Sequence, residues 1–383
     1  MPEPLKSMFG PAYYTRLAGA LAHMMPRFPQ KEFIRENLGG IEERELNARM
    51  RHTSHVLRKF LPGKFPAAVK VLRAVAERMP QGYTSLLYPD FVGQFGGEHI
   101  ALSLDALQFF TRFGSSEFAA REFFVRDMPA TLAKMREWSG DACEHVRRLA
   151  SESSRPRLPW SFRLDAVVRD PSLTRPILDA LRADPSGYVR KSVANHLNDI
   201  SKDHPGYMTD VLRAWDLRHP HTAWIARHAS RTLIKAGYAG ALALFAYEKN
   251  TAVALEGFWL RPKTLRLGDV LEFGFTLRSA KKTPQKLVID YRIHYRKAGG
   301  RSTPKIFKLR QAELRGGETL EVRKRQTFKD FTTRKHYPGE HRLEILVNGR
   351  AFGGGSFQLV THGAGGDGTD GAVGRNNSRQ LAH

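Results

Sequence analysis

The sequence predicts two architectures in one chain: an α-solenoid of HEAT-like helical repeats over residues 1–250, then a basic immunoglobulin-like β-sandwich over 251–361. Three observations carry this. A short pattern of an apolar pair, a basic residue and helical periodicity recurs as His145–Ala150, Tyr188–Val193 and Trp224–Ala229. Aligned on Val146, Val189 and Ile225, the copies lie 43 and 36 residues apart, the period of two-helix repeats that stack around a shared core. Near Asn250 the helical period gives way to short β-type runs, and there the positive charge concentrates.

Taken in order, residues 5–80 read as helices with short turns. Glu42–Leu61 and Ala67–Met79 are amphipathic, punctuated by Pro62-Gly63 and Pro80-Gln81-Gly82. The aromatics and glycines of Tyr83–Gly97 suggest a turn-rich connector, after which Leu102–Phe113 resumes helical spacing. Phe118-Ala119-Ala120-Arg121 is a weaker copy of the repeat. In the fullest copy, Asp184-Pro185-Ser186 supplies an expected N-cap and first-turn proline, followed by the stripe Val189, Val193, Leu197 and Ile200. Ser151–Pro159 interrupts the repeats with Arg155, Pro156, Arg157 and Pro159, a rigid basic loop suited to phosphate.

Val270–Leu277, Leu287–Tyr295, Ile306–Leu309, Leu320–Arg325 and Leu343–Val347 read as strands between glycine-containing turns, five to seven in all. Residues 362–383 are Gly-rich and polar and read as a disordered tail.

The 383 residues carry 61 Lys and Arg against 38 Asp and Glu, a formal charge of +23. Residues 261–350 alone hold 23 against 9, net +14. Uniform solubility charge would not localise this way, so a nucleic-acid backbone is the expected partner. Cys143 stands alone, which excludes a disulfide framework and a cysteine metal site. No run reaches the ~20 apolar residues of a membrane span, and no targeting signal is read. His219-Pro220-His221 lacks carboxylate or cysteine partners, so neither metal nor cofactor is expected.

Three acids stand out against this basic background. Glu152 shares a helical line with Arg148 and Arg155, which an exposed ion-pair ladder also explains. Asp199 lies on the line Ser192, Asn195, Asp199, which a solvated polar face explains as well. Glu117 is a first-turn acid placed to pair with Arg121. Trp224, Arg227, Arg231 and Lys235 fall on one helical face, suiting phosphate contacts beside a stacking platform. Tyr188 with Arg190 or Lys191 repeats that device, and Trp160 is a candidate because it follows the basic loop. Trp138 reads as core.

Ser115–Arg121, Val146–Glu152 with Arg155–Trp160, and Val189–Asp199 resemble segments of the AlkC/AlkD-type DNA glycosylases, built from HEAT-like repeats. Tyr337–His341 and Val347–Gly349 resemble the immunoglobulin-like extension of the AlkC branch. The resemblance implies a monofunctional hydrolase of base excision repair. It would cleave the N-glycosidic bond of cationic alkylated bases, chiefly 3-methyladenine and 3-methylcytosine, without flipping the base.

It places Glu117, Glu152 and Asp199 at the reaction, opposing the oxocarbenium-like charge and accepting a proton from water. Arg121, Arg148, Arg155 and Arg157 fall among its DNA contacts. Double-stranded DNA is then the partner, with no membrane and no obligate protein partner. A monomer in a bacterial cytoplasm, associated with the nucleoid, is the expectation. A non-catalytic repeat scaffold for nucleic acid or an acidic protein competes with this reading, as does recognition of structured RNA.

Overall fold

A computed structural model of the protein describes residues 4–330 and 335–360. The chain divides into two compact units between Ile234 and Lys235. The first holds α1 (Pro11–Met24), α2 (Gln30–Leu38), α3 (Leu46–Phe60), α4 (Phe65–Ala76), α5 (Leu87–Phe95), α6 (Ile100–Phe110), α7 (Glu117–Arg126) and α8 (Met128–Trp138). It continues through α9 (Glu144–Ser153), α10 (Asp165–Arg169), α11 (Arg175–Ala180), α12 (Gly187–Ile200), α13 (Pro205–Arg213) and α14 (Pro220–Ala229) into α15 (Arg231–Lys235).

Helices α3, α5, α7, α9, α12 and α14 pack in succession, each against the next, and form one layer of the solenoid. Val146, Val189 and Ile225, the residues that aligned the copies, are fully buried in α9, α12 and α14. Val193, Leu197 and Ile200 follow Val189 on the stripe that α12 turns inward. Trp138 is fully buried, as core.

Two local expectations fail. Tyr83–Gly97 is not a connector but a 3₁₀ turn, Tyr83–Leu86, running into α5. Tyr88, Phe91, Val92 and Phe95 hold helical spacing, and Gly93 permits a close crossing: a Cβ there would lie 3.2 Å from that of Ala119 on α7. Asp184 does not cap α12: the N-cap position falls to Ser186, whose side chain makes no capping bond, and the helix starts only at Gly187. The Asp184 carboxylate accepts from the Ser186 backbone N–H at 2.8 Å and pairs with Arg147 at 2.7 Å, tying α9 to the turn before α12.

In the second unit, α16 (Ala239–Ala243) precedes eight strands. They are β1 (Val253–Arg261), β2 (Thr264–Arg266), β3 (Val270–Ser279), β4 (Gln285–Arg296), β5 (Ser302–Leu314), β6 (Thr319–Thr327), β7 (Gly339–Val347) and β8 (Arg350–Val360). One sheet has the order β1-β3-β6 and the other β2-β8-β7-β4-β5, antiparallel except for β2 against β8. Alternate residues of both sheets, among them Phe273, Phe275, Tyr291, Ile293, Leu343 and Phe357, form one core, as a β-sandwich requires.

Strands β1, β2 and β8 escaped the sequence reading, and β5 is much longer than Ile306–Leu309. β1 is broken by a bulge with Gly257 at φ +57°, and β8 carries Gly353–Gly355. At Gly354 a Cβ would fall 2.0 Å from the Leu343 carbonyl oxygen, so the pairing of β7 and β8 demands glycine where strand propensity is poorest.

Charge in this unit is sorted by strand. Arg278, Arg323 and Arg325 on the three-stranded sheet pair with Glu256, Glu321 and Glu272 at 2.7, 2.7 and 3.0 Å. The β4–β5 hairpin has no acid between Asp290 and Glu313, and its Arg296, Lys297, Arg301 and Arg310 have no ion-pair partner among the described residues. The expected tail lies outside the described residues. Among those described, no helix is long and apolar enough to cross a membrane.

Leu197→Ala empties a fully buried site on α12. The expected loss is about 3 kcal/mol, seen as a lower urea midpoint of the helical unit with its m-value unchanged.

Candidate active site

Glu117, Glu152 and Asp199 come together on three successive helices of one layer, α7, α9 and α12. None is solvated: their relative exposures are 7%, 7% and 3%, which overturns the exposed ladder and the solvated face. Buried charges survive only when paired, and here the pairing is a chain. Arg148 Nη1 lies 3.0 Å from Glu117 Oε2, and Arg148 Nη2 lies 3.5 Å from Glu152 Oε1. Arg155 Nη1 donates to Glu152 Oε1 at 2.7 Å. Arg155 Nε and Nη2 both reach Asp199 Oδ2, at 2.8 and 2.7 Å. Lys202 Nζ closes the series on Asp199 Oδ1 at 2.9 Å. Acid and base alternate from α7 to the end of α12, three of each.

Local sequence explains the placement. Arg148 and Glu152 are one turn apart on α9, whose Val146, Leu149 and Ala150 hold the opposite face in the core. On α12, Ser192, His196 and Asp199 share the face turned to α9. Ser192 Oγ donates to Glu152 Oε2 at 2.6 Å and lies 3.0 Å from Ser151 Oγ, and His196 Nδ1 lies 3.0 Å from the Ser151 carbonyl oxygen. Burial, then the charge of Arg155, lowers the His196 pKa to about 3, so its imidazole is neutral. Burial alone would lower the Arg148 pKa, but the charges of Glu117 and Glu152 outweigh it and raise it.

The three acids differ in what they have left to accept. Both oxygens of Glu152 and both of Asp199 take hydrogen bonds from side chains. Glu117 Oε2 sits at ion-pair distance from Arg148 yet accepts no aligned hydrogen bond.

Several expected contacts are rearranged. Arg121 does not pair with Glu117 and does not reach solvent. It is fully buried, and its guanidinium donates to the carbonyls of Ser153 (2.9 Å), Arg155 (2.7 Å) and Phe162. Burial and the nearby Arg155 charge lower its pKa to about 10, which leaves it protonated at neutral pH. Arg155 is not a phosphate-facing loop residue but the bridge between two acids, while Arg157 is taken by Asp203 in a two-point pair at 2.9 and 2.7 Å. Trp160, at the tip of the same loop, is 98% exposed and holds φ at +64°.

Tyr188 lies under the Arg148 guanidinium, 5.1 Å from ring centre to Cζ, rather than beside Arg190. Arg190 stands over Trp224 at 5.8 Å and donates to the Asp184 and Pro185 carbonyls. Lys191 and Arg227 are exposed. Arg231 is drawn to Asn195 Oδ1 at 3.0 Å and to the His228 carbonyl. The single face expected from Trp224 to Lys235 is broken at Ser230, between α14 and α15, and Lys235 belongs to the other unit, where its Nζ lies 3.4 Å from the Ile306 carbonyl. His219 serves α14 as an N-cap, accepting from the His221 N–H at 3.3 Å.

Sequence reading missed Lys202 and Ser151 and took Ser192 only as part of a solvated polar face. Lys202 was findable, three residues after Asp199. The two serines carry no signal until α9 and α12 are stacked.

A stack of helical repeats with a buried chain of alternating acids and bases, joined in sequence to a basic β-sandwich, defines a repeat protein built to handle charge. Residues 254–361 match the family model described as "Uncharacterised protein YhaZ, C-terminal Ig-like domain". The uncharacterized protein YhaZ of Bacillus subtilis (strain 168) is 41% identical over 356 residues, 93% of this chain and 99% of that one. The structure of the Pseudomonas fluorescens alkylpurine DNA glycosylase AlkC, bound to DNA containing an abasic-site analogue, is 44% identical. It matches 94% of this chain and 100% of its own with a TM-score of 0.89. The chain belongs to the AlkC branch of the AlkC/AlkD-type family of HEAT-like-repeat proteins.

Arg155→Met leaves Glu152 and Asp199 buried without their shared cation. The expected cost is about 3–5 kcal/mol in urea unfolding, partly recovered when Glu152→Gln or Asp199→Asn is added. A loss of ordinary surface size, under about 0.5 kcal/mol, would show that the bridge does not hold the two acids in place.

Proposed function

We propose that the protein is a monofunctional DNA glycosylase that hydrolyses the N-glycosidic bond of cationic alkylated bases in double-stranded DNA, 3-methyladenine and 3-methylcytosine above all. The observation that carries this reading is the buried carboxylate chain Glu117–Glu152–Asp199 on a framework shared with AlkC along nearly its full length. The neighbouring AlkC is bound to an analogue of the abasic site that such a reaction leaves in DNA.

An alkylated base that is already cationic departs as a neutral molecule, taking the electron pair of the glycosidic bond. It needs no general acid. The sugar becomes oxocarbenium-like, and carboxylate charge set close to it lowers that barrier. Water then adds to C1′ and gives up a proton. Glu117 is assigned to the water, because it alone of the three has a buried oxygen that accepts no aligned hydrogen bond. Glu152 and Asp199, each with both oxygens held, supply fixed opposing charge. Exposed Trp160 and Tyr188 offer surfaces for stacking or sugar contact, and the lesion is attacked within the stacked duplex rather than flipped. The protein works as a monomer in the bacterial cytoplasm.

Arg296, Lys297, Arg301 and Arg310 of the β4–β5 hairpin supply cations for phosphate.

The reading is tested by incubating methylated duplex DNA with the protein and identifying any freed base. 3-Methyladenine is expected, and Glu152→Gln and Asp199→Asn should cut single-turnover release about a hundredfold or more while still binding DNA. Absence of any released base overturns the activity; wild-type rates in both variants overturn the assigned roles.

Replacing Arg296, Lys297, Arg301 and Arg310 together by Gln should weaken DNA binding and flatten the plot of log K against log salt, by up to about 0.9 for each cation removed that meets a phosphate. An unchanged slope removes the hairpin from the DNA contact.

A further inference from the structure

We infer that Arg121 is a positioning residue: from inside the protein it holds the backbone of residues 153–162, and so sets where Arg155 bridges Glu152 and Asp199. The inference rests on the glycosylase reading for its activity arm only.

An arginine with no exposed surface is an expensive choice unless its donors are used. No carboxylate lies within ion-pair distance of Arg121 among the described residues, so the guanidinium is not there to neutralise an acid directly. Its Nη1 and Nη2 donate to carbonyls that the fold leaves open, while its Nε is buried without a hydrogen-bond partner. Ser153 is the last residue of α9, where helical carbonyls have no partner further along the helix. Arg155 and Phe162 lie in the irregular stretch beyond.

That stretch makes few backbone bonds of its own: Arg155 N–H to the Glu152 carbonyl at 3.4 Å, Ser161 N–H to the Leu158 carbonyl at 3.3 Å, and Leu164 N–H to the Pro156 carbonyl at 3.1 Å. Pro156 and Pro159 remove two donors from it. The Phe162 ring completes the enclosure, its centre 5.2 Å from the Arg121 Cζ.

Two consequences follow from where the fork is fixed. Arg121 stands one turn after Glu117 on α7, so it pins the helix carrying Glu117 to the end of the helix carrying Glu152. It also grips the carbonyl of the very residue whose side chain spans Glu152 and Asp199. All three acids are therefore referenced to one buried guanidinium that touches none of them. Lysine cannot reproduce this, since a single ammonium cannot reach carbonyls lying in separate directions with fixed geometry.

The full-length protein is compared with Arg121→Lys and Arg121→Met on duplex DNA containing 3-methyladenine, under single-turnover conditions with enzyme in excess. Both variants are expected to bind abasic-site duplex with wild-type affinity and an unchanged salt slope, because the side chain never meets DNA. Arg121→Met should excise about a hundredfold more slowly at saturation, the effect of a displacement near 1 Å, with Arg121→Lys between the two. A rate within twofold of wild type in either folded variant overturns the inference. So does a salt slope shallower by about one, which marks a phosphate contact instead.

Should Arg121→Met fail to fold, Arg121→Lys carries the test. Should the wild-type protein release no base, the glycosylase reading fails but the positioning claim is still read by amide hydrogen exchange in Arg121→Lys. Faster exchange confined to residues 153–164, with Val146–Ala150 unchanged, supports it; an unaltered 153–164 sinks it.

Discussion

Three carboxylates cannot leave water in one small volume unless cations leave with them, and the helical unit is arranged around that constraint. Arg148 serves Glu117 and Glu152, Arg155 serves Glu152 and Asp199, and Lys202 finishes on Asp199. Every link but Arg148–Glu152, which lies within α9, spans two helices or a helix end, so the spacing of α7, α9 and α12 is held by electrostatics as well as by the stripe of Val146, Val189 and their neighbours. Stability alone does not call for such a chain, because packed aliphatic side chains of equal volume do as well or better. Its presence is better explained by what carboxylates do to a developing positive charge.

On the proposed function, neutrality has a chemical use. Three unpaired acids would repel the phosphate backbone well before contact. Paired one for one, their far field cancels, and DNA meets no barrier. At a few Å the cancellation fails, and each carboxylate oxygen acts on whatever lies against it through a low local dielectric. A cationic base and the sugar that inherits its charge are felt only at that range. Hydrogen bonds from Ser192, Arg155 and Lys202 fix the oxygens in advance, so little reorganisation is needed when charge moves.

The fold was legible where period was legible. The stripe from Val189 to Ile200 and the alternation of Leu287 to Tyr295 both survive in the structure as buried faces. What sequence spacing mishandles is side-chain direction across a stack. The i,i+4 rule paired Glu117 with Arg121, but that rule describes helices in water. Once α7 is packed, Glu117 finds Arg148 on the next helix and Arg121 finds loop carbonyls. Tyr83–Gly97 failed for a related reason: glycine weakens a helix by propensity, yet at Gly93 it is what lets α5 and α7 approach. Asp184 looked like a cap because capping is local, and its bond to Arg147 is not. The acids themselves could be picked out, but their burial, which separates a site from an ion-pair ladder, exists only after stacking.

The same limit applies to reading partners from net charge. Of the arginines assigned to DNA from sequence, Arg148 and Arg155 are engaged by carboxylates, Arg157 by Asp203 and Arg121 by backbone oxygens. A cation whose donors are already taken and whose field is cancelled by a neighbour releases few counterions when a phosphate approaches. On the proposed function, the +23 therefore overstates the grip on DNA, and the part of it that counts is the part with no acid nearby. In the β-sandwich that part is the β4–β5 hairpin, because the arginines of the opposite sheet are matched by Glu256, Glu272 and Glu321. Arginine thus does three different jobs in one chain: bridging acids at Arg155, tying backbone at Arg121, and standing free at Arg301. Which job falls to which residue is decided by the groups its neighbours leave unsatisfied, a property of the packed structure that no count of charges contains.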